Sequence, residues 1–202
     1  MTAAGATAVQ IGPHRCEDLD LPRLFTGLEI PAAIAAELSM MRGGIHGARW
    51  IEPEDYHITL RFIGDVDSHV AREAAETLSE IRRAAFWVSI DALSWFGADK
   101  PRAIVATVKP APAIVELQAE HERRLRRIGV APEPRKFTPH VTIARLRSAS
   151  QHAVADYLSA RGYFPSLQFA ATRFVLFSSR DSVGGGPYVV EATYPLIEPA
   201  AP

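Results

Sequence analysis

Residues 57–60 read HITL, inside the stretch RWIEPEDYHITLRFIG at positions 49–64. A near copy, HVTI, fills positions 140–143 inside PRKFTPHVTIARL at 134–146. Each copy has the apolar and β-branched content of a strand, and side chains on a strand alternate between its two faces. His57 and Thr59 are therefore expected on one face, with Ile58 and Leu60 on the other. His140 and Thr142 are expected together in the same way, opposite Val141 and Ile143. The apolar partners bury and hold each strand; the His-Thr pairs are left for a cleft or solvent. With 7 His in the chain, a His-apolar-Thr-apolar string is expected by chance about 0.08 times. It occurs twice.

Two imidazoles facing one another suit acid–base chemistry. Imidazole titrates near neutrality, so one ring can take a proton from water while its partner gives one to a leaving oxygen. The threonine hydroxyls two positions along can donate to nonbridging phosphate oxygens. Two such pairs form a symmetric clamp for one tetrahedral anion, and phosphoryl chemistry asks mainly for positioning and charge stabilisation. Arg61 continues the alternation from His57 and Thr59, so it is expected on their face. Arg145 lies five residues after His140; strict alternation puts it opposite, and it reaches a phosphate only if the strand bends or ends near Ala144. A single His-x-Thr on a strand is more often structural or merely exposed, so the weight rests on the repetition.

Outward from the two motifs, strands and helices interleave. A first strand, RLFTGLEIP, ends at Pro31, and a helix carrying Ile34, Leu38 and Met41 comes next, stopped by Gly43 and Gly44. Helices are expected over 68–84, 112–129 and 151–160, and strands over 86–96 and 101–110 about a turn at Gly97–Pro101. Residues 167–180 and 188–198 read as a closing hairpin joined by DSVGGGP, whose Gly184–Gly186 run precedes a strand and is taken as a turn. Hairpins mixed with crossovers give an α+β class, with a hint of duplication because each motif strand is followed by a helix.

Composition sets the bounds. The chain has 202 residues, 48% hydrophobic and 22% charged, with a formal net charge of −1. Proteins that coat long nucleic acid usually carry a basic excess, so contact with a nucleic-acid end or a small phosphorylated ligand fits better. The lone Cys16 allows no internal disulfide and agrees with a cytoplasmic location. No apolar run is long enough to span a bilayer, so no membrane partner is expected. Residues 1–22 read as a disordered tail and 23–198 as one bilobal domain. Catalytic zinc takes three protein ligands, and neither an H-E-x-x-H string nor paired cysteines occur, so neither metal nor other cofactor is expected.

Residues 23–197 resemble the two-histidine phosphoesterase superfamily, and within it the RNA 2′,3′-cyclic phosphodiesterases, the LigT-like or 2′–5′ RNA ligase group. The paired motifs HITL and HVTI carry the resemblance, with LFTGLEIP, WFGADKPRAIVATV and KFTPHVTIARL similar to the family's opening strand, central hairpin and second motif region. The C-terminal LFSSR and GGGPYVVEATYPL are similar to its last hairpin. The resemblance implies a two-lobed, pseudo-symmetric α+β fold, with antiparallel or mixed sheets around a central cleft and helices outside. It implies metal-independent hydrolysis of RNA 2′,3′-cyclic phosphate ends to 2′-phosphomonoesters, with weak reverse 2′–5′ ligation. Carried over residue by residue, His57 becomes the proton donor and His140 the proton acceptor, while Thr59 and Thr142 hold the phosphate. The family's arginine after the second motif maps to Arg145; Arg61 stays beside it as a second candidate. The partner implied is RNA or an oligonucleotide with a cyclic phosphate end, bound by a monomer.

The alternatives are a module that binds a nucleotide or RNA end without turnover, or a phosphodiesterase for small cyclic or 2′–5′-linked nucleotides. Histidine in both copies favours an enzyme, because binding alone could use Lys or Arg. Trp50, Tyr56 and Phe137 flank the motifs and are candidates either for base stacking or for core packing. His121 falls on the apolar side of its helix, and the run HERRLRR at 121–127 reads as a solvated helix face.

Overall fold

The computed structural model describes residues 23–161, 164–179 and 187–197. The expected tail at 1–22, with Cys16, and the Gly184–Gly186 turn lie outside the described residues. Within them, nine strands and four α-helices run in order: β1 (Arg23–Glu29), α1 (Ala32–Ser39), β2 (Ala48–Trp50), β3 (His57–Asp65), α2 (Ser68–Ser79), β4 (Phe86–Phe96), β5 (Ala103–Val108), α3 (Pro112–Arg127), β6 (His140–Leu146), α4 (Gln151–Arg161), β7 (Leu167–Ala171), β8 (Arg173–Ser179) and β9 (Tyr188–Pro195). A short 3₁₀ turn, Pro53–Asp55, leads into β3. No described helix is long and apolar enough to cross a membrane.

The strands form one sheet in the order β7-β4-β5-β6-β3-β1-β8-β9, with β2 added on β6. Outward from its middle, the sheet has two matching halves, β3-β1-β8-β9 and β6-β5-β4-β7. Chain order matches as well: β1, α1, β3, α2 in one half and β5, α3, β6, α4 in the other. Every strand pair is antiparallel; the parallel contact among the described residues is an isolated bridge between Ala84 and Ile197. The halves meet at β3 and β6, which share one register pair, Ile58 with Val141. Beyond that pair the two strands part, and β2 takes over the rest of the β6 edge. The sheet therefore opens at its centre, between the two motif strands.

Local chemistry explains most element ends. Asp67 caps α2 by accepting from the backbone N–H of His69 and Val70, each at 2.9 Å. That helix stops at Ser79, short of the expected 84, because residues 83–85 give their backbone groups to the chain's end. Ile197 N–H donates to the Arg83 carbonyl and Ala85 N–H to the Ile197 carbonyl, both at 2.8 Å. Ile81 nevertheless stays buried. After α1, Gly43 and Gly44 both take positive φ, and their loop is held by Arg161, which donates to the Arg42 and Gly43 carbonyls. The segment 167–180 is not one strand. It breaks at Thr172, sending β7 to β4 at the far edge while β8 pairs with β1 and β9. The hairpin formed by β8 and β9 is as expected.

Helices α1 to α3 cover one sheet face through Leu38, Leu78, Ile114, Leu117 and Leu125, which meet Leu28, Ile58, Val141 and Ile143 from the strands. A second cluster under α4 joins Ile104, Ala144, Leu146, Val154 and Tyr157. Each fully buried aliphatic side chain contributes about 1.5–3 kcal/mol. His121 sits in the main core with no solvent exposure, its Nδ1–H donating to the Leu117 carbonyl at 2.7 Å and its ring edge-on to Phe174. The HERRLRR run presents Arg123, Arg126 and Arg127 as an exposed face, while Arg124 is held by Glu120 and Glu80.

Two measurements check this packing. A Cβ on Gly27 would lie 2.8 Å from the Ile58 carbonyl oxygen and 3.2 Å from Phe177. Gly27→Ala is therefore expected to destabilise the fold by about 1–3 kcal/mol in urea titration; an unchanged midpoint contradicts the close approach. Burial first, and the Arg124 charge after it, push His121 down to about 4, against the Leu117 carbonyl and the Glu120 charge. A buried neutral imidazole loses stability on acidification, in this case between pH 6.5 and about 4. The loss reaches roughly 3 kcal/mol. His121→Leu should remove this part of the acid sensitivity; an identical pH–stability curve in the variant contradicts it.

Candidate active site

Both motifs sit where the sheet divides. In β3, His57 and Thr59 are half-buried while Ile58 and Leu60 are buried; in β6, His140 and Thr142 are half-buried while Val141 and Ile143 are buried. All four polar side chains line one cleft of about 620 Å³. The rings are anchored in the same way. His57 Nδ1 meets the carbonyl oxygen of Asp55 at 2.8 Å, and His140 Nδ1 meets that of Thr138 at 2.7 Å. A carbonyl can only accept, so Nδ1 carries the proton in both rings and Nε2 is the nitrogen left for chemistry.

Aromatic rings wall the histidines in. Phe25 and the edge of Tyr188 lie 5.0 and 4.9 Å from the His57 ring, centroid to centroid, and Phe177 closes a third side. His140 has Phe96 edge-on at 4.7 Å. The Asp55 carboxylate accepts from Tyr188 N–H at 3.1 Å, so the residue whose carbonyl orients His57 also fixes the start of β9. Burial raises the Asp55 carboxyl above its usual range. Burial dominates at the histidines too. It takes His57 down to about 4, with the charges of His140 and Arg145 acting in the same direction and the Asp55 carbonyl opposing. His140 is lowered as well, by burial first and then by Arg145 and Arg135, against the Thr138 carbonyl.

The two arginines part company, for one geometric reason. The pairing of β1 with β3 slips between Thr26 and Gly27, leaving Leu60 as an extra residue; the pairing of β5 with β6 slips between Ile104 and Val105, leaving Ile143 as an extra residue. Each bulge shifts the alternation by one. The burial patterns from His57 and from His140 consequently coincide, with two consecutive buried residues at the fourth and fifth positions. Arg61 still borders the cleft, but it is drawn below the open face of His57 and Thr59, contrary to the strict alternation. It is 4% exposed, and its guanidinium binds Glu122 and the carbonyls of Phe62 and Ala131. Phe62 takes the cleft position instead, against Phe25. In β6 the same slip does the reverse service: Ala144 is buried and Arg145 comes round to the cleft with His140 and Thr142. The bend near Ala144 that the sequence demanded for Arg145 is this bulge.

Other flanking residues settle differently. Tyr56 is a core residue, 3% exposed, with burial pushing its hydroxyl up to about 12, so it offers no stacking face. Trp50 packs against Tyr157. Phe137 does reach the cleft wall. Sequence pattern did not reveal Phe25, Phe96 and Tyr188, which surround the histidines. Nor did it reveal the cations Arg49, Arg102 and Arg147 that line the cleft. No periodicity reports these, because they come together across strands; the Arg135-Lys136 pair just before the second motif was the one visible cue. Among the described residues, no three His, Cys, Asp or Glu side chains converge as metal ligands do.

Comparison with known proteins agrees with this geometry. A chain from Aeropyrum pernix called RNA 2′,3′-cyclic phosphodiesterase is 41% identical over 101 residues, covering 49% of this chain and 57% of that protein. One of the same name from Aquifex aeolicus is 30% identical over 152 residues, 72% of this chain and 81% of its own length. The fold matches E. coli LigT complexed with 3′-AMP with a TM-score of 0.69 at 22% identity, over 87% of this chain and 98% of the other. The family of LigT-like phosphoesterases matches twice, over residues 28–106 and 105–188, once around each motif. With both motif regions matched in this way, the chain belongs to the LigT-like phosphoesterases.

Proposed function

We propose that the protein hydrolyses RNA 2′,3′-cyclic phosphate ends to 2′-phosphomonoesters by paired-histidine acid–base catalysis. The supporting observation is the matched anchoring of the two rings, which leaves one Nε2 from each half of the sheet for a single cleft. Relatives named RNA 2′,3′-cyclic phosphodiesterase support the substrate class. In this reading His140 Nε2 accepts a proton from water as the water oxygen bonds to phosphorus. The bond from phosphorus to the 3′ oxygen breaks, and His57 Nε2–H protonates that oxygen. The hydroxyls of Thr59 and Thr142 donate to the nonbridging oxygens, and Arg145 offsets their charge. A 2′–5′ linkage would form if the 5′-hydroxyl of a second RNA took the place of water, with His140 accepting its proton, its oxygen bonding to phosphorus and His57 again protonating the departing 3′ oxygen. Both motifs come from one chain, which supports action as a monomer, and one sheet runs through residues 23–197, which supports reading 23–198 as one bilobal domain. A cytoplasmic setting fits an RNA substrate and a lone cysteine.

The test is incubation with an RNA ending in a 2′,3′-cyclic phosphate, in excess chelator. A 2′-phosphate product is expected; tight binding with no product would mean a binding module, and loss of turnover in chelator would mean a metal. His57→Ala and His140→Ala should each lower kcat by about 10²–10⁴-fold with an unchanged melting temperature; near-wild-type turnover in either contradicts its role. Because both imidazoles are depressed in the free enzyme, kcat/KM should be bell-shaped with its maximum on the acid side of pH 6.5. Arg145→Gln removes a charge that lowers both, so both limbs should move to higher pH while the rate falls. Limbs that stay in place contradict the placement of Arg145.

A further inference from the structure

The cleft has two unlike ends. Strands β3 and β6 run antiparallel and pair at Ile58 and Val141, so following each past its threonine leads in opposite directions. Along β3 the cleft wall carries Phe62, and three of the four cations at that end are already matched, Lys136 being the exposed exception among the described residues. Arg23 binds Asp65, Arg61 binds Glu122, and Arg135 binds Glu133 while lying 5.9 Å over the Phe62 ring. Along β6 the wall carries Arg145, Arg49, Arg102 and Arg147, all exposed. Arg145 stands between Arg49 on β2 and Ala103 on β5. Leu146 N–H donates to the Arg102 carbonyl at 2.8 Å, so Arg102 and Arg147 flank one backbone hydrogen bond at this end. Among the described residues, Arg102, Arg145 and Arg147 make no ion pair with a carboxylate.

The position of Arg102 is stiff. It closes the turn between β4 and β5, its N–H donating to the Phe96 carbonyl at 2.7 Å, with Gly97 at φ 114° where a Cβ would overlap the Lys100 carbonyl oxygen. Gln151 of α4 donates to the Ala98 carbonyl of the same turn. A row of exposed guanidiniums on hydrogen-bonded backbone, continuous with the cleft, is suited to bidentate recognition of phosphate. Arg147 lies two residues beyond Arg145 and just past the end of β6, a separation of up to about 7 Å, a step comparable to one nucleotide of extended chain.

We propose that the Arg102–Arg147 end of the cleft is a subsite for the phosphodiester immediately upstream of the reacting phosphate. The protein then selects cyclic-phosphate-ended oligonucleotides over mononucleoside 2′,3′-cyclic phosphates. This rests on the function proposed above and adds its length requirement. The chain as a whole carries a formal net charge of −1, so long-range nucleic-acid attraction stays weak and the arginine row acts locally.

The experiment compares kcat/KM for a nucleoside 2′,3′-cyclic phosphate and for a tetranucleotide with the same end, in wild type and in the double variant Arg102→Ala, Arg147→Ala. The wild type should favour the tetranucleotide by about tenfold or more. The double variant should lose most of that preference, and its dependence on salt should flatten by about 1.4 in log–log slope. The pair Arg102→Lys, Arg147→Lys should keep the salt slope, since charge is retained. Equal rates on the two substrates in wild type, or an equal loss on both in the double variant, overturn the subsite. Anisotropy titration with a tetranucleotide ending in a 2′-phosphate separates the subsite from the reaction. Arginine-dependent, length-dependent binding without turnover of any substrate would retain the subsite and reject the reaction; turnover without length dependence would retain the reaction and reject the subsite.

Discussion

Everything at the centre of this molecule depends on the backbone pairing of Ile58 with Val141. Both side chains are fully buried, and theirs is the register pair that joins the two halves of the sheet. One residue before the pair on each strand is a motif histidine and one after it a motif threonine, so a single antiparallel contact brings all four polar groups to one cleft. Had the ladder continued, β3 and β6 would have closed the sheet. Instead β2 occupies the remaining β6 edge, with Ile51 N–H donating to the Ile143 carbonyl at 2.9 Å, and the strands diverge.

The second constraint is the bulge after each threonine. The same slip in both strands shows how far the two halves repeat, and also how a repeat becomes a directional site. The equivalent positions hold Arg61 and Phe62 on one side, Ala144 and Arg145 on the other. One strand thus hides its cation under α3 and shows an aromatic, while its counterpart hides an alanine and shows a cation. A phosphate between the histidines meets a guanidinium from one half and a ring from the other. That difference in side chains, laid on matching backbones, gives the cleft two distinguishable ends.

Burial is what tunes the histidines. Aromatic walls and low solvent access disfavour the imidazolium, and the nearby Arg145 adds to this; the i−2 carbonyls pull the other way without overcoming it. In the proposed reaction, a phosphodiester held between the rings would bring negative charge that favours a protonated ring. His121 is depressed for the same first reason but lies edge-on to Phe174 in the core, where its cost is a matter of stability. The same depression falls on two histidines that line the cleft and on one enclosed in the core, and access to the cleft separates them.

Local pattern in the sequence was enough to determine most element types, the two motifs and the faces of His57, Thr59, His140 and Thr142, because alternation and repetition are carried by neighbouring residues; the family came from the resemblance of those motifs and their flanks. It failed where a partner strand decides the outcome. Arg61 and Arg145 exchanged their expected faces because a bulge is a property of two strands in register, and neither strand encodes it alone. The apolar run at 167–180 has one hydrophobic character throughout, yet β7 and β8 lie on opposite halves of the sheet. Net charge, a sum over the chain, concealed the arginine row, which exists only once β2, β5 and β6 are side by side. What belongs to a single segment was legible; what belongs to a pairing of segments needed the tertiary structure, because register and adjacency are set by packing.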